Sequence, residues 1–286
     1  MSTRLLVAAV LMLVGVRLHV AFADRDQGSR PEGPDASQAR ASAGAERPRI
    51  LIFTRTAGFR HASIPDGVNA LSKRLGAAWS VQHTEDSGMF TREGLAPYRA
   101  VVFLSTTGDV LDDAQQQSLA EWTLGGGGWV GIHAAADTEH HWPWYGEQLC
   151  CARFATHPPV QKSTVVVEDR AHPSTSMLPE RWERTDEWYV YDRSPRKVDG
   201  VRVLASMDTA TVAGPRMDGD HPIAWCRDLG AGRAWYTGGG HTSESFSEPL
   251  FIDHIEGGIR WAARVAPEAA SRPPGSARDS SSGTAR

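Results

Sequence analysis

Residues 125–137 read GGGGWVGIHAAAD. Four glycines run into a short apolar stretch, Trp129 to Ile132, and that stretch stops at His133 in front of a run of small residues. An apolar run of this length, bounded by turn signals, predicts a strand buried on both faces. A strand that gives way to a tight small-residue turn lifts one side chain clear of the sheet, as a nucleophile elbow does. Here the presented group is an imidazole. The glycines stand before the strand, whereas a phosphate cradle needs them after a strand and before a helix. No nicotinamide or flavin is implied.

The same pattern repeats on either side. ILIFT (50–54), WSVQHT (79–84) and AVVFLS (100–105) read as strands. Between the first two, Ile64, Val68, Leu71 and Leu75 share one helical face; Ser63 with Asp66 suits an N-cap, and Gly76 a C-cap. Asp112 opens a second helix that runs to Leu124 and stops at Gly125. Strands alternating with helices predict an α/β fold with a doubly wound, mostly parallel sheet. Further on, STVVVED (163–169) and VRVLASM (201–207) read as strands, and HPIAWCRDLGAGRAWYTGGGH (221–241) as two strands joined by a Gly-rich turn. A closing helix spans SEPLFIDHIEGGIRWAAR (247–264), with Ser247 as its cap.

The ends have another character. Arg4 precedes the apolar run Leu5–Val16, and AFA at 21–23 fits a small-residue cleavage site, so residues 1–23 read as a secretory signal. Residues 24–48 and 267–286 are rich in Pro, Gly, Ser and Ala and read as a disordered linker and tail. The folded domain is then 49–266, in a secreted or periplasmic protein with no membrane span in the mature chain. The net charge of −4 gives no basic face, which argues against nucleic acid as a partner. Cys150, Cys151 and Cys226 form no CxxC and read as buried apolar residues rather than a disulfide framework or a thiolate zinc site.

Ligands of doubly wound sheets sit beyond the carboxyl ends of the strands. The residues following the strands are therefore the candidates: Arg60 and His61 after the first, Thr106 after the third, His133 and Asp137 after the fourth, His241 and Glu244 after the last. Each also has a plain structural use. His133 suits a buried histidine that holds a loop, His61 and Asp137 suit helix caps, and His140 and His141 suit a solvated loop. His241 follows three glycines, and such a loop lets backbone approach a ligand closely. Trp142 in HWPWY and Trp188 in DEWYVYD, with Glu187 beside it, bring rings and carboxylates together as a sugar site requires; singly, each tryptophan also suits packing.

GFRHASI, GGWVGIHAAADT, FATHPPVQ, AHPSTSMLPERWERTDEWY, HPIAWC, GAGRAWYTGGGHTSES and FIDHIEGGIRWAA, in this order, resemble the ThuA-like (trehalose-utilisation) family over residues 50–264. The resemblance implies a flavodoxin-like, three-layer sandwich of the class I glutamine amidotransferase-like superfamily, and a role in bacterial carbohydrate metabolism. In the amidotransferases to which the resemblance points, the pattern after the fourth strand looks like G-I-C-x-G, with the cysteine as nucleophile. Here Gly131-Ile132-His133 stands there, which removes a Cys acyl-enzyme at that position. His241, with Glu244 nearby, resembles the amidotransferase histidine. LCCARF (149–154) departs from the LVGGYF typical of the family.

These readings converge on an exported protein acting on a sugar or sugar derivative by hydrolysis or acid/base chemistry, as a hydrolase or lyase. His133 and His241, with Asp137 and Glu187, would be catalytic. Arg60, His61, Thr106, Trp142, Trp188 and Glu244 would bind substrate. No spacing motif demands a cofactor, but histidines and carboxylates would suit a divalent metal such as zinc. The partner expected is a small-molecule carbohydrate, and nothing fixes the oligomeric state. The alternative is a non-catalytic carbohydrate-binding protein. Fold alone does not separate the two.

Overall fold

The computed structural model describes residues 46–217 and 219–266. The signal, most of the linker and the tail expected from the sequence lie outside these residues. No helix among them is long and apolar enough to cross a membrane.

Five strands make the parallel half of the sheet. β1 (Arg49–Phe53) lies between β2 (Ser80–Thr84) and β3 (Tyr98–Leu104), and β4 (Gly128–Ile132) lies between β3 and β11 (Gly232–Thr237). Side chains alternate across this half. Ile50 and Ile52 join one buried cluster with Leu71, Leu75, Ile255 and Ile259; Leu51 and Phe53 join another with Phe90, Leu95, Phe103 and Trp129. Helices α1 (Ile64–Leu75) and α4 (Pro249–Ala262) supply the first cluster, whereas α2 (Arg92–Leu95) and α3 (Asp113–Leu124) supply Leu95 and Leu119 to the second. Because both faces are covered, β1 can be apolar at every buried position.

The sheet as a whole is mixed, not mostly parallel. Beyond β11 come β10 (Pro222–Leu229), β9 (Arg202–Met207), β6 (Gln161–Val167) and β7 (Arg181–Asp186), all joined antiparallel, to complete nine strands. The reason is connectivity. A parallel neighbour needs a long crossover, usually a helix, and no α-helix lies between β6 and β11. β10 and β11 are joined by a tight turn at Gly230, whose φ of 61° is left-handed. The flavodoxin-like expectation thus reaches only the parallel half, whose order β2-β1-β3-β4-β11 has helices on both faces.

Two helix starts differ from expectation. Ser63 makes no side-chain cap; its hydroxyl bonds the Gly240 carbonyl at 3.1 Å instead, tying the loop after β1 to the loop after β11. α4 begins at Pro249 behind Glu248 rather than at Ser247, because Glu244–Ser247 forms its own short 3-10 turn. Asp112 does cap α3, in a reciprocal box with Gln115. A small second sheet pairs β5 (Phe154–Thr156) with β8 (Val190–Tyr191).

Candidate functional site

Register places the centre of the site. Ile132, the last residue of β4, pairs with Thr237, the last of β11. The next residues, His133 and Gly238, are therefore neighbours although they stand 105 positions apart in sequence, and His133 Nδ1 lies 2.9 Å from the Gly238 carbonyl. A carbonyl can only accept, so Nδ1 donates to it and Nε2 is the nitrogen left facing the other side chains. The backbone of His133 has φ 51°, a left-handed conformation uncommon outside glycine. Its carbonyl accepts a 2.7 Å bond from the Tyr236 hydroxyl, so both ends of the residue are held in that conformation. The elbow is present but not exposed: His133 is fully buried under other rings.

Those rings are His61, His241 and Tyr189. Centroid separations are 4.8 Å for His61–His133, 5.1 Å for His61–His241, 5.3 Å for His133–His241 and 4.2 Å for His133–Tyr189. Glu187 completes the group, with Oε2 3.6 Å from His133 Nε2 and 3.2 Å from His241 Nδ1. Its other oxygen, Oε1, lies 2.9 Å from His157 Nδ1. That nitrogen donates to the Pro158 carbonyl at 3.0 Å.

The loops are set by buried polar anchors. β7 is the last strand in the sheet order, yet its terminal residue Asp186 reaches the loop after β11, so the antiparallel half folds back over the strand ends. Asp186 accepts from the backbone N–H groups of Gly240 (2.8 Å), His241 (3.0 Å) and Glu187 (2.9 Å) and from the Ser245 hydroxyl (3.0 Å), and pairs with buried Arg184 at 3.0 Å. The glycines before His241 serve this packing rather than an approach to ligand. A Cβ on Gly239 would meet the Arg184 guanidinium at 2.3 Å, and Gly240 has φ 116°.

The polar contacts inside the group are unusual. His61 Nδ1, His133 Nε2 and His241 Nδ1 are all buried and make no hydrogen bond, the 3.2 Å approach of His241 to Glu187 being misdirected for one. Burial, reinforced by the neighbouring imidazoles of His133 and His241, pushes His61 down to about 3, so it is neutral at pH 7. Burial would raise Glu187, but His133 and His241 outweigh it and hold the carboxyl at about 2. Glu187 in turn raises His241. Buried polar atoms are normally paired. Imidazole nitrogens beside a carboxylate oxygen have donor chemistry that suits a cation.

His61, His133, Glu187 and His241 each offer one ligand atom, and these atoms lie within 4.8 Å of one another. A tetrahedral zinc shell with bonds of about 2.0–2.1 Å sets its donors about 3.3 Å apart. The Glu187 contacts to His133 and His241 match that spacing, while the widest separation exceeds it. The donors thus fit a divalent ion in identity and, on the Glu187 side, in spacing.

The other expected site residues lie elsewhere. Asp137 pairs with His140 at 2.9 Å and is half-buried; burial raises its carboxyl. Arg60 is committed to a surface pair with Glu85 at 2.7 Å. Thr106 is buried against Thr138, hydroxyl to hydroxyl at 2.8 Å. Glu244 is exposed in the turn before α4. Trp188 is in the core, its indole N–H on the Gln161 carbonyl, because alternation after β7 sends Glu187 and Tyr189 one way and Trp188 the other. Trp142 stacks on Trp144 at 5.1 Å. The rings that do meet the group are Tyr189 and Phe59, the latter edge-on to His61 with centroids 4.8 Å apart. Sequence reasoning passed over both, and over His157, although FATHPPVQ and GFRHASI contain His157 and Phe59. A cavity of 1260 Å³ lies at the opposite end of the strands, among Arg49, Tyr98, Arg99 and Gly126 near the strand starts, and does not adjoin the histidines.

A family model described as ThuA, trehalose utilisation, matches residues 49–262. A ThuA-like protein of known structure from Bacteroides uniformis ATCC 8492 is 28% identical, with TM-score 0.68 over 77% of this chain and 93% of its own. One from Parabacteroides merdae ATCC 43184 is 19% identical, with TM-score 0.61 over 78% and 93%, a likeness of fold. A β-galactosidase from Bacillus circulans sp. alkalophilus shares the fold alone over 33% of its length, at 10% identity and TM-score 0.52 over 80% of this chain. Among curated proteins none matches in sequence. The chain belongs to the ThuA family.

Proposed function

We propose that this ThuA-family protein is exported and acts in carbohydrate metabolism, processing a sugar or sugar derivative by hydrolysis or proton transfer at a divalent-metal centre held by His61, His133, Glu187 and His241. One observation carries the reading: three buried imidazole nitrogens and one carboxylate oxygen converge with no hydrogen bonds to satisfy the nitrogens. Burying them so is unfavourable unless a partner is shared, and a cation would satisfy all four groups at once. The family's link to trehalose utilisation supports the carbohydrate class. The apolar run Leu5–Val16 followed by AFA supports export.

The N3O set suits zinc or a first-row neighbour, and an ion taking five or six ligands keeps a position for substrate. His61, His133, Glu187 and His241 would hold such an ion, and it would supply Lewis acidity toward an oxygen of the sugar derivative. The chain supplies the rest. The Gly238 carbonyl fixes the His133 tautomer so that Nε2 faces inward. His157 holds the outer oxygen of Glu187, which keeps Oε2 turned to the imidazoles. His157 and His241 have side chains 42% and 26% exposed, so they are the members of the group that solvent or substrate can reach.

The test compares wild type with His133→Ala. Metal analysis after zinc loading should give about one ion per wild-type chain and a loss of at least tenfold in affinity for the variant, with far-ultraviolet circular dichroism unchanged. A wild-type chain that retains no divalent ion would overturn the metal centre. Metal bound without turnover of any sugar derivative would instead favour the non-catalytic binding protein.

A further inference from the structure

We propose that Phe59 is the stacking platform for a saccharide ring beside this centre. The inference rests on the carbohydrate reading above and assigns its substrate contact. Phe59 is 67% exposed, the most open large apolar side chain among the described residues; Val160, Leu124 and Met177 follow at 43%, 41% and 39%. Single exposed apolar residues are ordinary on protein surfaces. Phe59 differs in position and in constraint. It stands nearly perpendicular to His61, at 84°, so it flanks the buried imidazoles directly.

Its loop is also held in place. The Phe59 carbonyl accepts a 2.9 Å bond from the Thr107 hydroxyl, the Ala57 N–H donates to the Thr107 carbonyl at 2.7 Å, and Thr56 bridges to Thr107. Ser63, on the far side of His61, is tied to the Gly240 carbonyl. A ring carried on a held loop costs less ordering of the chain when a ligand covers it. A pyranose has an apolar C–H face and a rim of hydroxyls. An aromatic face beside hydrogen-bonding groups matches both. The other solvent-reaching groups of the centre, His241 and His157, are imidazoles suited to the hydroxyl rim. The tryptophans expected to form this wall are in the core or stacked on each other, which leaves Phe59 as the exposed ring at the histidines.

The test uses the zinc-loaded full chain and saturation-transfer NMR with glucose, methyl α-glucoside and trehalose as probes. Phe59→Ala should weaken binding of the best probe at least tenfold, Phe59→Trp should retain it, and Phe59→Leu, apolar but without a ring face, should resemble Ala. Metal content should equal wild type in all three, since Phe59 donates no ligand atom. Equal affinity for wild type and Phe59→Ala would overturn the platform and leave the carbohydrate reading standing. No binding of any probe by wild type would overturn both.

Discussion

Asp186 touches neither substrate nor any ligand nitrogen, yet its removal should be among the most disruptive single changes in the domain. It is fully buried and accepts from three backbone N–H groups and one hydroxyl while pairing with Arg184, which is 3% exposed. Asp186→Asn keeps the volume, turns one acceptor into a donor and removes the charge. Breaking a buried pair from one side costs about 3–5 kcal/mol. Asn retains one acceptor and Arg184 keeps half-exposed Glu248 at 3.1 Å, so about 3 kcal/mol is expected, roughly two orders of magnitude in the folding equilibrium. Urea denaturation at pH 7 measures it, with the slope unchanged if the denatured state is unaffected. A second variant tests the cause. If the ion pair were the main role, Arg184→Met with Asp186→Leu would restore stability, as apolar replacement of buried pairs often does. Here the Gly240 and His241 N–H groups would stay unpaired, so the double variant should remain destabilised, and its zinc affinity should fall about 10–100-fold. A loss below about 1 kcal/mol for Asp186→Asn, or full rescue by the double variant, would refute the anchoring argument.

Other outcomes follow from the same structure. His254 is fully buried, bonded to the Ser174 carbonyl and the Thr237 hydroxyl, and burial pushes it down to about 4. As pH falls from about 6.5 the unfolded chain takes the proton first, so this contribution is complete above 6.5 and is lost progressively toward 4, about 3 kcal/mol in all. The stability gap between wild type and His254→Gln, measured by urea at pH 7.5 and pH 4.5, should therefore narrow at the lower pH; a constant gap contradicts the linkage. Cys150, Cys151 and Cys226 are buried, and burial raises their thiols, so single Ala variants should lose about 1 kcal/mol or more of stability and leave metal content and turnover within twofold. N-terminal sequencing of the exported protein should begin at Asp24; an intact Met1 on a cytoplasmic chain would reject the export proposal.

The parallel half of the fold was readable because its signals are local. Apolar runs of five or so residues, each followed by a capped amphipathic segment, need no knowledge of distant sequence. The Asp112 cap and the Gly125 stop came out to the residue. The antiparallel half was harder for a physical reason. β7 reads RWERTD, with charge on both faces, and it forms a strand because Arg184 and Asp186 are buried as a pair while Arg181 and Glu183 are exposed. A pairing made in three dimensions leaves no hydrophobic alternation to find.

The site shows the same division. Each histidine could be placed at a strand end from sequence, since the position after a buried strand is a local property. Which of the strand-end residues would share one centre was not local. Arg60, Asp137 and Glu244 follow the same strands as the histidines and Thr106 follows β3 between them, yet each is turned to a surface pair, a loop tie or solvent. Glu187 enters because β7 folds back over the strand ends, and His157 enters because Thr156 pairs with Val190, three residues past Glu187. The aromatic contact was misassigned for a related reason. In DEWYVYD the extended chain alternates, so the choice between Trp188 and its neighbour depends on which face Glu187 takes. Once Glu187 is fixed on the histidines, Tyr189 must share its side and Trp188 must enter the core. One long-range contact therefore decides three assignments at once.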